Sequence, residues 1–186
     1  MKAFKGFNPD LKCLGYQFNK FGMNETEEAN CASNGFHCAE NPLDCLTYYS
    51  NWKSSVYYEV EALGDLDEDG IDSKISCTKM RLIRRLSLNR FLFEAILYMV
   101  QHPKRPWNSH VYKEQGTAVN GFVVVRGKAP MARGKKGDVL ALVQEDNTGE
   151  ISEVGLFEAE EPDTWYDVYG KCIGTNGEAI AQDETA

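Results

Sequence analysis

Residues 34–49 constrain the fold most, because within sixteen residues they join a strand to a helix. Residues 35–39 form a short apolar run that is typical of a strand. Asn41 has the side chain of a helix N-cap, and Pro42 suits the first helical position. The sequence therefore predicts a strand-to-helix corner, a common place for a binding or active site. The candidate residues at this corner are His37, Glu40, Asp44, Tyr48 and Tyr49.

Other segments predict strands of the same domain. Residues 2–7 resemble a first strand, which the turn signal at Asn8-Pro9 ends. Residues 56–63 alternate apolar and acidic side chains with a period of two, which indicates a half-buried strand. Residues 74–86 predict another strand, with Lys79, Arg81, Arg84 and Arg85 facing outward.

The strongest helical pattern begins after Ser87. Apolar residues recur there at helical spacing, on a stripe of Leu88, Phe91, Leu92, Ala95, Ile96, Met99 and Val100. Phe93 and Leu97 widen this stripe, so we expect a helix that is buried on more than one side. Arg90 and Glu94 are spaced to pair on its polar face. A second, short helix over residues 24–32 is predicted by a capping-box pattern that starts at Asn24.

The second half of the chain predicts short strands separated by glycines. Residues 139–145 and 151–158 form a predicted hairpin, and residues 164–173 a last one. We therefore expect the α+β class: an N-terminal mixed α/β domain with one long buried helix, then a smaller, mostly antiparallel β segment. The expected boundaries are 1–112 for the domain, 113–176 for the β-rich segment packed on it, and 177–186 for a flexible acidic tail.

Charge is segregated along the chain. Residues 79–136 carry 13 Lys and Arg against 2 Asp and Glu, whereas both flanking segments are acidic. A basic segment of this kind indicates internal electrostatic closure or a surface for an acidic partner. The candidate binding residues are Arg81, Arg84, Arg85, Arg90, Lys104, Arg105 and Trp107. Direct binding of nucleic acid is the less favoured alternative, because no nucleic-acid motif is present and the acidic flanks would repel a polyanion.

The sequence contains two partial metal-site patterns, and neither is complete. Residues 65–70 resemble the first half of a calcium loop, but position twelve is Ser76 instead of Glu. The six cysteines contain no C-x-x-C pair, and His37, Cys38 and Cys45 match no zinc spacing. We therefore expect no metal, no cofactor and reduced cysteines that act as small apolar residues.

Several segments together resemble an uncharacterised family encoded by bacteriophages and by bacteria that carry them. The segments are residues 2–8, Gly35-Phe-His37 with Glu40, Pro42-Leu-Asp44, Tyr48-Tyr49 and Asp163-Thr-Trp-Tyr166. Larger members of that family insert short repeats, which resemble a β-solenoid, before the final β segment. Residues 116–137 stand at that place here. The resemblance implies a phage or prophage origin without implying a chemistry.

A weaker resemblance is to the ADP-ribosyltransferase fold, whose strand order residues 2–6, 35–49 and 56–63 would fill. Two departures stand out. Lys5 occupies the place where an Arg or His of that fold grips the nicotinamide dinucleotide, and no later Glu can be assigned as the catalytic acid.

Two functions follow as hypotheses. The first is a phage-type accessory protein that docks on a host protein or nucleoprotein and inhibits a bacterial defence system, in the manner of an anti-CRISPR. The second is an NAD-using transferase built on the corner from His37 to Tyr49. The amino-terminal residues lack a signal peptide, and no apolar run nears the roughly 20 residues of a membrane span. We therefore expect action in the host cytoplasm, without a membrane partner.

Overall fold

The computed structural model describes residues 1–30, 33–68 and 73–173. The chain divides into two compact units, Met1–Tyr98 and Met99–Ala186. Strands account for 50% of the structure and helices for 12%. The expected α+β class, with a mixed α/β first domain, is therefore wrong, and the protein is mostly β.

The described part of the first unit contains seven strands, a short 3₁₀ helix and most of one α-helix. These elements are β1 (Lys2–Phe7), β2 (Lys12–Cys13), β3 (Tyr16–Gln17), β4 (Met23–Glu25), β5 (Phe36–Ala39), the 3₁₀ helix (Pro42–Thr47), β6 (Val56–Glu68), β7 (Lys74–Arg85) and α1 (Leu88–Gln101). The strands predicted over residues 2–7, 35–39, 56–63 and 74–86 are confirmed. β6 extends beyond its prediction to Glu68, because its acidic end still pairs with β7.

The main sheet of the first unit closes on itself. Its order is β4-β7-β5-β1-β6, and β7 pairs with β6 as well as with β5. Each of these pairings is antiparallel. Because side chains alternate across a strand, every second residue of β1 faces the interior of this closed sheet. Ala3 and Phe7 pack there, with Phe18, Phe36 and Tyr58.

Helix α1 begins where the sequence predicts. Ser87 caps it, since its hydroxyl accepts a hydrogen bond from the backbone N–H of Arg90 at 3.3 Å. Phe91 is fully buried and packs with Trp52 and Tyr57, whose rings stack 4.6 Å apart. The expectation of burial on more than one side is wrong, because Phe93 is 45% exposed. The helix is therefore buried along one stripe.

The helix predicted over residues 24–32 is also wrong where the structure describes it. Met23–Glu25 forms strand β4, which pairs with β7 at Arg81, Met80 and Lys79. Asn24 is fully buried, and its amide donates to the carbonyl oxygens of Asn19 and Met80. The side chain that suggested a helix cap therefore closes a loop and anchors an edge strand.

The second unit is built of six described strands, two of which are very short. They are β8 (Val111–Thr117), β9 (Phe122–Arg133), β10 (Val139–Glu145), β11 (Ile151–Glu158), β12 (Trp165–Tyr166) and β13 (Cys172–Ile173). The predicted hairpins over residues 139–158 and 164–173 are confirmed, since β10 pairs antiparallel with β11 and β12 with β13.

The expectation of a mostly antiparallel β segment is wrong for β8, β9 and β10, because β9 pairs in parallel with both β8 and β10. Val111 lies beside Val124, and Phe122 beside Val139, so successive stretches of chain stack in the same direction. The pairing of β8 with β9 is irregular at one point, since Lys113 lies beside Arg126 whereas Gln115 lies beside Met131. The arrangement resembles the stacked coils of a short β-solenoid. Its core contains Val123, Val125, Ala132, Leu140 and Leu142.

Two expectations concern residues outside the described ranges. They are the flexible acidic tail over 177–186 and the second half of the acidic loop at residues 69–72. Among the helices that the structure describes, none combines the length and the apolar character needed to cross a membrane.

Candidate functional site

A cavity of about 440 Å³ opens where β1, β5 and the 3₁₀ helix meet. Four of the five predicted corner residues line it, namely His37, Asp44, Tyr48 and Tyr49. Glu40 is not among the lining residues. The cavity, called the β1–β5 cavity below, is also lined by Lys5, Cys13 and Lys74, which the sequence did not assign to the corner.

Local hydrogen bonds fix the corner. The Asn41 side chain accepts from the backbone N–H of Leu43 at 3.1 Å, as an N-cap does, and Pro42 follows it. The helix that results is a six-residue 3₁₀ helix. Ser73 ties it to the start of β7, because its hydroxyl accepts from the Asn41 N–H at 2.8 Å and its N–H donates to the Asp44 carboxylate at 3.1 Å.

Tyr49 can pack against β1 because Gly6 has no side chain. A Cβ at Gly6 would lie 2.7 Å from Cδ2 of Tyr49, so only glycine allows this approach. The Tyr49 carbonyl accepts a hydrogen bond from the Tyr57 hydroxyl. Burial and a hydrogen bond to the Cys13 thiol raise the pKa of Tyr49 well above its ordinary value. Tyr49 is therefore a neutral wall of the cavity, and Tyr48, 66% exposed, forms its rim.

Two of the thiols that line the cavity, Cys38 and Cys45, are also uncharged. Burial raises the pKa of Cys45 to about 12. A hydrogen bond with Cys77, together with burial, raises the pKa of Cys38 well above its ordinary value. The five cysteines that the structure describes are free, and Cys31 lies outside the described ranges. No group of three or more His, Cys, Asp or Glu residues among the described ones could hold a metal ion.

Lys5 lines the cavity, although the prediction of the corner did not include it. It is 5% exposed, and its Nζ donates to the carbonyl oxygen of His37 at 2.6 Å. The Sγ of Cys13 lies 3.8 Å from the same nitrogen. The sequence signal was present, because Lys5 stands between Ala3 and Phe7 at an inward-facing position of β1.

Most of the predicted cationic residues of the first unit form ion pairs with carboxylates of the same unit. Arg81 pairs with Glu61 at 3.3 Å, and Arg84 pairs with Glu59 at 2.6 Å. Arg90 pairs with the buried Glu94, as predicted. Although burial alone would raise the pKa of Glu94, hydrogen bonds and charge from Lys2 and Arg90 lower it overall. The exposed Arg85 has no ion pair within the described residues.

In the second unit, Lys104 pairs with Glu150 at 2.9 Å. Trp107 is already covered by a cation of the same unit, since the guanidinium of Arg126 lies 4.9 Å from its ring centroid. Arg105 is exposed and, within the part of the chain that the structure describes, makes no ion pair. The cationic candidates thus fall into two groups, one in each unit, and most of them are neutralised internally.

The first unit is therefore a closed antiparallel β-sheet with a polar and aromatic cavity at one corner. The chain belongs to the family described as Domain of unknown function (DUF7666), whose model matches residues 1–94. That match includes β1 to β7 and every residue that lines the cavity. No curated protein matches the chain, and no solved structure matches it either.

Proposed function

We propose that the first unit binds a small organic molecule in the β1–β5 cavity. The observation that carries this proposal is the cavity itself, whose volume of about 440 Å³ falls in the usual range for ligand sites, roughly 300–1,000 Å³. Tyr48 offers an exposed aromatic face at the rim, and His37 and Asp44 offer polar groups within. A planar ligand with a polar or charged end suits such walls.

An NAD-using enzyme is one form of this proposal, because the cavity lies at the corner on which that hypothesis was built. NAD has planar rings, which a tyrosine face can stack against, and phosphates, which a lysine can attract. The five cysteines that the structure describes are free, which supports action in the cytoplasm, where thiols stay reduced.

The second candidate is a phage-encoded accessory protein that docks on a host protein or nucleoprotein and inhibits its defence. Arg85 and Arg105 favour it, because both are exposed and neither has an ion pair among the described residues. Support is weaker from Arg81, Arg84 and Lys104. Each already forms an ion pair with a carboxylate of this chain and would have to break that pair to bind a carboxylate of the partner.

Isothermal titration with nicotinamide, adenosine, AMP and NAD tests the ligand-binding proposal. We expect binding of at least one of these probes, and a loss of about tenfold in its affinity in Tyr48→Ala, because a stacked ring contributes about 1–3 kcal/mol. Tyr169→Ala is the matched control, since Tyr169 is 64% exposed and lies in the second unit.

If none of the four probes binds, or if Tyr169→Ala weakens binding as much as Tyr48→Ala, the proposal is wrong. Nicotinamide release, measured in the same samples with NAD, distinguishes an NAD-using enzyme from a protein that only binds its ligand. Release that Tyr48→Ala reduces supports an enzyme, and binding without release supports a binding module.

A further inference from the structure

Lys5 is a buried cation that has no counter-ion among the described residues. Buried lysines are rare and are normally paired with a carboxylate, because the removal of an ammonium group from water is costly. No described carboxylate lies within 4.0 Å of Lys5 Nζ; the nitrogen contacts the His37 carbonyl and the Cys13 thiol instead. The rings of Phe7 and Phe18 lie 5.3 and 5.4 Å from it.

These contacts stabilise the ammonium without neutralising it. A carbonyl oxygen and two aromatic faces supply partial negative charge only. An ammonium has three N–H donors, and the His37 carbonyl accepts a hydrogen bond from one of them at 2.6 Å. The Cys13 sulfur, at 3.8 Å, is a weak acceptor. Lys5 therefore keeps donor capacity and a net charge at the wall of the cavity.

The other described groups of the cavity do not form an ion pair with Lys5. Its titratable side chains are Lys5, Cys13, His37, Cys38, Asp44, Cys45, Tyr48, Tyr49 and Lys74. The one carboxylate among them is that of Asp44. The Asp44 carboxylate accepts hydrogen bonds from both the N–H and the hydroxyl of Ser73. Cys38, Cys45 and Tyr49 stay neutral at physiological pH.

We infer that the molecule bound in the β1–β5 cavity carries a phosphate or carboxylate group, and that Lys5 binds this group. The inference rests on the proposed function and names its ligand class. An anion that entered the cavity would meet Lys5 among partly apolar walls, where water screens charge less than it does at the surface. The pairing would supply the counter-ion that the described residues lack.

Two pairs of probes that differ only in charge test this inference by isothermal titration: AMP with adenosine, and benzoate with benzamide. We expect the anion of at least one pair to bind about tenfold or more tightly than its neutral partner, and the pair that responds distinguishes a phosphate from a carboxylate ligand. Lys5→Met should remove this preference, because it removes the charge that distinguishes the two members of a pair. Lys12→Met, a change of an exposed lysine, should retain the preference.

The wild-type protein gives a second test if Lys5→Met does not fold. A preference that arises from a buried cation should persist in 0.5 M NaCl, whereas one that arises from exposed charges should largely disappear. Equal binding of charged and neutral probes, or a preference that salt abolishes, would overturn the role of Lys5 while leaving the cavity as a ligand site. If no probe of either pair binds, and neither nicotinamide nor NAD binds, the ligand-binding proposal itself fails.

Discussion

Arg126→Met is expected to lower the free energy of unfolding of the second unit by about 3–5 kcal/mol, the usual consequence of removing one member of a buried ion pair. Arg126 is 2% exposed, and its Nε donates to the Glu145 carboxylate at 2.9 Å. Its other donors reach the carbonyl oxygens of Pro103 at 2.6 Å and Gly149 at 3.4 Å. Methionine fills the same space but leaves these acceptors without donors.

Urea denaturation monitored by tryptophan fluorescence measures this effect, because Trp107 lies under the Arg126 guanidinium. Lys128→Met is the matched control. Lys128 is on the same strand, but it is exposed, and within the described residues its side chain donates a hydrogen bond only to Asn147. The control should change stability by no more than about 0.5 kcal/mol. Similar losses in the two variants would show that the Arg126 ion pair does not hold the second unit together.

Gly35→Ala is expected to destabilise the first unit by about 2–5 kcal/mol, for two reasons. Gly35 has a φ of +84°, a conformation that is strained for any residue with a Cβ. An added Cβ would also lie 2.9 Å from the backbone Cα of Ala29 and 3.1 Å from the carbonyl oxygen of Glu28. Backbone cannot swing aside as a flexible side chain can, so β5 must shift, and the cavity wall must shift with it.

Gly15→Ala separates the two causes. Gly15 has the same φ of +84°, but nothing lies within 4 Å of the position of its Cβ. We expect this control to lose about 1–2 kcal/mol, the conformational part alone. Thermal denaturation of the two variants should therefore give a clearly lower melting temperature for Gly35→Ala. Equal melting temperatures would mean that the close approach of the backbones at Gly35 does not matter.

The sequence predicted those features that local chemistry determines. Asn41 and Pro42 indicated a helix start, and the cap hydrogen bond forms as expected. The alternation after Val56 predicted β6, and the apolar stripe after Ser87 predicted α1. Such signals depend on neighbours within a few residues, so they can be read directly from the chain.

Features that depend on distant partners were missed or wrong. Asn24 suggested a helix cap, but its segment pairs with β7, more than fifty residues away. Tertiary pairing overrode the local preference there. The parallel arrangement of β8, β9 and β10 is likewise set by packing between successive stretches of chain, and no local pattern reports it.

The candidate site shows the same division. His37, Asp44, Tyr48 and Tyr49 come from one continuous segment, and the sequence brought them together correctly. Lys5 and Cys13 enter the cavity from β1 and β2, so the local pattern of residues 34–49 could not place them there. The carboxylates that neutralise Arg81 and Arg84 lie on β6, the neighbouring strand, and the sequence did not assign those pairs. The phage origin stays a prediction.

The measurement that tests the account most directly is a titration of the ¹⁵N-labelled protein with AMP, followed through the backbone amide resonances. If the β1–β5 cavity is the functional site, the largest shifts should fall on Lys5, His37 and Tyr49, with little change at Arg81 and Arg84. Shifts concentrated on the two arginines, with the cavity resonances unmoved, would contradict the assignment of the site.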